Sequence, residues 1–120
     1  MSYDISLVKD GKTCEVNKYQ KGGIIAIDGS TKADFTITYN YSFFFHNFLD
    51  KRRGIRWLYG KTAKETTPRL EKAIDKLSGW VGDGIYEKDY WAPTFGNARH
   101  ALEILLDWAK QNPDGVWEGD

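Results

Sequence analysis

The chain has 120 residues, with 17 Lys/Arg balanced by 17 Asp/Glu, and aromatic side chains make up 15% of it. That length suits a single domain over residues 1–120, burying roughly two thirds of the surface that its unfolded chain exposes. Neutrality argues against nucleic acid as the main partner, one cysteine excludes an intramolecular disulfide or a Cys-rich zinc site, and no apolar run is long enough to span a bilayer.

The first forty residues read as antiparallel sheet. Tyr3, Ile5 and Leu7 alternate with Asp4 and Ser6, which is strand periodicity. Asp10-Gly11 is a hairpin turn, and the run Thr13–Val16 returns, with Cys14 as a small buried hydrophobe. Gly22-Gly23 punctuates the chain before a short β-rich run at 24–27, and Asp28-Gly29-Ser30 turns it again. Phe35, Ile37, Tyr39 and Tyr41 then share one strand face, with Thr36, Thr38 and Asn40 on the other.

After residue 42 the pattern becomes helical. Ser42 caps a short aromatic helix over 43–50, and residues 53–58 form a further turn. Thr67-Pro68 opens a helix whose apolar positions are Leu70, Ala73, Ile74, Leu77 and Val81. Residues 79–89 read as a loop holding Asp83, Glu87 and Asp89. The last helix, capped by Thr94 or Asn97, has a stripe of Ala98, Ala101, Leu102, Leu105 and Ala109. Asn112-Pro113 ends it, and Trp117 so near the end predicts a tail docked on the body. Strands first and helices after give an α+β fold: an N-terminal antiparallel sheet of about four strands (1–41) packed on three to four C-terminal helices (42–120).

Sites with a recognisable chemical signature are scarce. His46 and His100 belong to no ligand pair, so neither catalytic residues nor a metal site nor a cofactor is expected. The acids of the 79–89 loop match no calcium loop and read as a solvated face. Arg99 falls in the first turn of the last helix, where the helix dipole disfavours a cation. An anion should therefore sit beside it: Asp89, the terminal carboxylate or a ligand phosphate.

Two features point to binding. Five aromatic rings occupy the seven residues 39–45, and the basic run Lys51-Arg52-Arg53-Gly54-Ile55-Arg56-Trp57 follows. Arg52, Arg53, Arg56, Trp57 and Tyr59 resemble a strip for a nucleotide or other anionic ligand, although long basic side chains also cover aromatics with no ligand present. Charge is segregated as well. Residues 51–72 hold eight Lys/Arg and two Glu, whereas residues 82–120 hold eight acids and three bases. A basic middle and an acidic end pair within the chain or across a homo-oligomer. Candidate binding residues are Tyr39, Asn40, Tyr41, Arg53, Arg56, Tyr59, Trp91, Asn97 and Arg99. Arg, Tyr and Trp are the residue types that anchor interfaces.

The run Ile37-Thr38-Tyr39-Asn40-Tyr41, the segments Gly54-Ile55-Arg56 and Leu58-Tyr59-Gly60, Asp89-Tyr90-Trp91 with Thr94 and Gly96-Asn97-Ala98, and the tail Asp114-Gly115-Val116-Trp117-Glu118-Gly119-Asp120 together resemble a family of small phage- and prophage-encoded proteins of unassigned function. The resemblance implies a setting in the cytoplasm of a bacterial host cell and no particular chemistry. In that setting, small proteins without catalytic motifs are often inhibitors of host defences, including CRISPR and nucleotide-signalling systems. The expectation is a non-enzymatic, phage-type inhibitor that binds a host defence or regulatory protein. A sponge for a nucleotide signal is the alternative. No membrane partner is expected.

Overall fold

Strand β1 (Ser2–Lys9) is the spine of the sheet in the computed structural model, which describes residues 2–16, 31–79 and 92–120. Asp10 and Gly11 both take positive φ, 54° and 76°, and turn the chain into β2 (Lys12–Thr13). That pair of angles is the tight hairpin turn whose twist matches the strands it joins. The predicted hairpin is therefore present, shorter than its sequence run.

β3 (Asp34–Thr38) and β4 (Val116–Gly119) complete the antiparallel sheet. Ser6 pairs with both Asp34 and Glu118, and Val8 with both Thr13 and Val116. A residue has one partner on each side, so β2 and β3 lie end to end along one edge of β1 and β4 takes the other. The outer edge of β4 is covered in turn. Gly60 N–H donates to the Trp117 carbonyl at 2.8 Å and Trp117 N–H to the Lys61 carbonyl at 3.0 Å. The fold is thus α+β, as expected, with one relocation: a strand of the sheet comes from the docked C-terminal tail. The run at 24–27 lies outside the described residues.

Tyr3, Ile5 and Leu7 of β1, Phe35 and Ile37 of β3, and Trp117 of β4 point to the core, while Asp4, Thr36 and Glu118 are exposed. The expected β3 alternation stops at Thr38. Its hydroxyl accepts from Asn40 N–H and starts a 3₁₀ turn at Tyr39–Tyr41, so Tyr39 and Tyr41 leave the strand.

Helix α1 (Ser42–Phe48) follows without a side-chain cap; the Ser42 hydroxyl instead bonds the Tyr3 hydroxyl at 2.5 Å. A second 3₁₀ turn spans Gly54–Leu58. Helix α2 (Ala63–Ser78) starts before the expected Thr67-Pro68. Thr62 and Glu65 form a reciprocal capping box that satisfies the first N–H groups, and this outcompetes the later start. Pro68 therefore sits inside the helix. The Thr66 and Thr67 hydroxyls just before it both turn back to the Ala63 carbonyl, at 2.8 and 3.0 Å.

Thr94, rather than Asn97, caps α3 (Phe95–Gln111). The expected apolar stripe of α3 is fully buried, together with Ile104 and Trp108. The Trp108 ring meets Phe35 edge-on at 5.9 Å, placing α3 over β3. The Trp117 indole N–H donates to the Thr66 hydroxyl at 2.8 Å, placing α2 over β4. Among the described residues, no helix is long and apolar enough to cross a membrane.

Candidate functional site

The second 3₁₀ turn leaves the aromatic–basic strip on two different surfaces. On one, the Arg56 guanidinium lies 4.9 Å from the Tyr3 ring centre and 5.7 Å from that of Tyr39. Arg56 also donates from Nη2 to the Tyr39 hydroxyl at 3.2 Å and from Nε to a main-chain oxygen of Asp120 at 3.1 Å. Tyr3 and Tyr39 contact each other, with ring centres 4.5 Å apart. Arg56 thus stitches β1, the first 3₁₀ turn and the tail together. The ring of half-buried Tyr59 lies against Gly119, where an added Cβ would stand 2.4 Å from it. The Tyr59 hydroxyl is buried and finds no hydrogen-bond partner among the described residues. Burial pushes this phenol up to about 12; Arg56 pulls the other way, and Asp120, Tyr3 and Tyr39 push it further up.

On the other surface, Asp50 organises a basic turn. Its Oδ2 accepts the Arg53 N–H at 2.8 Å, its Oδ1 accepts from Arg69 Nη1 at 3.1 Å, and its carbonyl accepts the Gly54 N–H at 2.8 Å. His46 Nδ1 donates to the Lys51 carbonyl at 3.1 Å, so this nitrogen carries the proton. Gly54 has φ 58° and a hypothetical Cβ would stand 2.9 Å from the His46 ring, so both backbone angle and space call for glycine there. Lys51, Arg52 and Arg53 are all exposed. Asp50, Arg52, Arg53 and Trp57 line a shallow groove of about 410 Å³.

The Trp57 ring is half-buried, with the Arg69 guanidinium 4.2 Å and the Lys61 ammonium 4.6 Å from its centre. Each such contact is worth about 0.5–1 kcal/mol at an exposed site. A stacked base gains about 1–3 kcal/mol. Displacing both cations would offset most of that gain, so the ring is a poor open platform for a base.

The proposed site residues do not form one patch. Tyr39, Arg56 and Tyr59 belong to the first surface and Arg53 to the second. Tyr41 is 1% exposed and Asn97 2%, so both are corrected from surface contacts to core residues. Phe45 packs edge-on against Tyr41. Asn97 serves the start of α3: its N–H reaches Thr94 and its Nδ2 donates to the Ala92 carbonyl at 3.0 Å. Asn40 is exposed beside the first surface. Arg99 pairs with Glu103 at 3.6 Å, one turn on, an acid not among the three expected anions. Trp91 and the acids Asp83, Glu87 and Asp89 lie outside the described residues.

Sequence reasoning overlooked Asp50, Lys61 and Arg69. Asp50 had a local signal, since an Asp three residues before Arg53 can bond that N–H and close a turn. Lys61 stands four residues after Trp57. Arg69 arrives from another helix and had none. Among the described residues, no group of three or more His, Cys, Asp or Glu is placed to hold a metal ion. No protein-family profile, curated protein or solved structure matches this chain.

Proposed function

We propose that the protein is a non-enzymatic binding protein, a phage-type inhibitor that grips a bacterial defence or regulatory protein in the host cytoplasm through the Arg52–Arg53–Trp57 surface. One observation carries this reading: the side chains of Arg52 and Arg53 are exposed and make no ion pair or hydrogen bond with the described residues, whereas Arg56, Arg69 and Arg99 are all engaged. Exposed arginines beside a half-buried tryptophan are typical interface anchors. The phage setting comes from the sequence resemblance.

The test is affinity capture from bacterial lysate, coupled to a defence assay in cells expressing the protein. A specific partner whose activity falls on binding is the expected result. Recovery of none, with host defences intact, would sink the proposal.

The groove beside Arg52 and Arg53 supports a second reading, a nucleotide-signal sponge. A thermal-shift series with nucleotides separates the two. A true ligand at ten times its Kd adds about 1.4 kcal/mol of stability, whereas a protein inhibitor shows no shift.

A further inference from the structure

We infer that the Lys51–Arg53 turn is a preformed receptor for carboxylates spread over an acidic protein segment, rather than for a phosphate or a nucleobase. This rests on the binding reading above and names the chemistry of the partner.

Three observations favour spread carboxylates. First, the turn is set before any partner arrives, because Asp50 holds Arg53 N–H and Gly54 N–H while His46 holds the Lys51 carbonyl. Binding then spends little on ordering the backbone. Second, phosphate cradles converge backbone N–H groups on one anion. Here the N–H groups of Arg53 and Gly54 are committed inward to Asp50, and what faces outward is three successive exposed cations on a turn. Each of the two guanidinium groups can take a carboxylate in fork geometry, so adjacent arginines on a turn suit several carboxylates carried by one segment. Third, Asp50 is itself one of the residues that line the groove. A compact dianion drawn into the groove competes with the Asp50 carboxylate for Arg69 and the Arg53 N–H, whereas carboxylates taken by the Arg52 and Arg53 side chains leave those bonds in place. The Trp57 ring, with cations from Arg69 and Lys61 already on it, is left to offer apolar contact rather than a base-stacking face.

The test uses the full chain and three defined probes at low ionic strength: a ten-residue glutamate-rich peptide, a twelve-residue oligothymidylate and ATP, titrated calorimetrically. The peptide is expected to bind at least tenfold more tightly than either of the others. The double variant Arg52→Glu/Arg53→Glu should weaken the peptide at least tenfold, while the charge-matched control Lys72→Glu/Lys76→Glu on α2 leaves it within twofold. Should the glutamate pair fail to fold, Arg52→Gln/Arg53→Gln replaces it, with a threefold loss or more expected. Tighter binding of oligothymidylate or ATP, no peptide binding, or equal losses in the control would each overturn the inference. Its failure is distinguishable from failure of the broader reading. A captured host protein that is lost from the Arg52/Arg53 variants but is not displaced by the glutamate-rich peptide refutes this assignment alone, whereas peptide binding at the turn with no inhibited host protein refutes the broader reading alone.

Discussion

Arg53 and Arg56 lie three residues apart in one basic run, yet the molecule treats them differently. Arg56 meets two tyrosine rings, a hydroxyl and a main-chain oxygen of the tail. Arg53 gives its backbone N–H to Asp50, and its side chain stands in solvent. One arginine is a clasp of the fold and the other is available to a partner. Nothing in the residue type decides this; what decides it is which elements pack beside each face of the 3₁₀ turn. A basic run is therefore best divided by its tertiary neighbours before any of it is counted as a binding surface.

The largest effect is expected from removing what brings the tail to Arg56. Trp117→Ala deletes a fully buried indole and its bond to Thr66, and should cost about 3–5 kcal/mol in urea unfolding. Loss below 1 kcal/mol would mean that β4 docking contributes little. Next, Gly54→Ala asks a left-handed backbone and the His46 ring to accept a Cβ, at a cost of about 1–3 kcal/mol. Binding through the basic turn should fall with it, the two effects being read by urea unfolding and by peptide titration.

Arg56→Ala and Arg53→Ala sharpen the contrast directly. The first should destabilise by about 1 kcal/mol, from lost ring contacts at an exposed site. The second should stay within about 0.5 kcal/mol of the parent while weakening partner binding. Equal losses of stability in the two variants would mean that Arg53 supports the fold as much as Arg56 does.

The smallest effect is at the cap of α2, which delivers Arg69 to Asp50. Hydrogen bonds from the Thr62 backbone and hydroxyl hold the Glu65 carboxyl below its usual value of 4.5. A depressed carboxyl stabilises the fold at pH above its unfolded value and loses that contribution as pH falls through the folded one. Stability measured from pH 6 down to pH 3 should therefore fall less steeply in Glu65→Gln than in the parent; parallel curves would rule the contribution out.

Several features follow from local chemistry and were legible without tertiary contacts. The Asp10-Gly11 turn needs only two residues that tolerate positive φ. The stripe of α3 needs only helical spacing, and the alternation of Tyr3, Ile5 and Leu7 only a strand with one covered face. Long periodic segments carry their own evidence because every turn of the pattern repeats it. The same local reasoning misplaced the start of α2, where two caps competed and the Thr62–Glu65 box prevailed. It also extended β3 through Tyr41, because in the sequence the Thr38 whose hydroxyl breaks the strand resembles its neighbour Thr36; the structure buries the first and exposes the second.

What the amino-acid order determined, then, is an α+β molecule with its hairpin, its last helix and a tail that returns to the body. Long-range packing settles the fate of individual polar and aromatic groups: Tyr41 and Asn97 inside, Arg56 clasped, Asp50 joined to Arg69 across 19 positions, and Arg52 and Arg53 left in solvent. Periodicity is set by neighbours a few residues away. Burial and ion pairing are set by which distant elements come into contact, and one sequence read alone carries little record of those meetings.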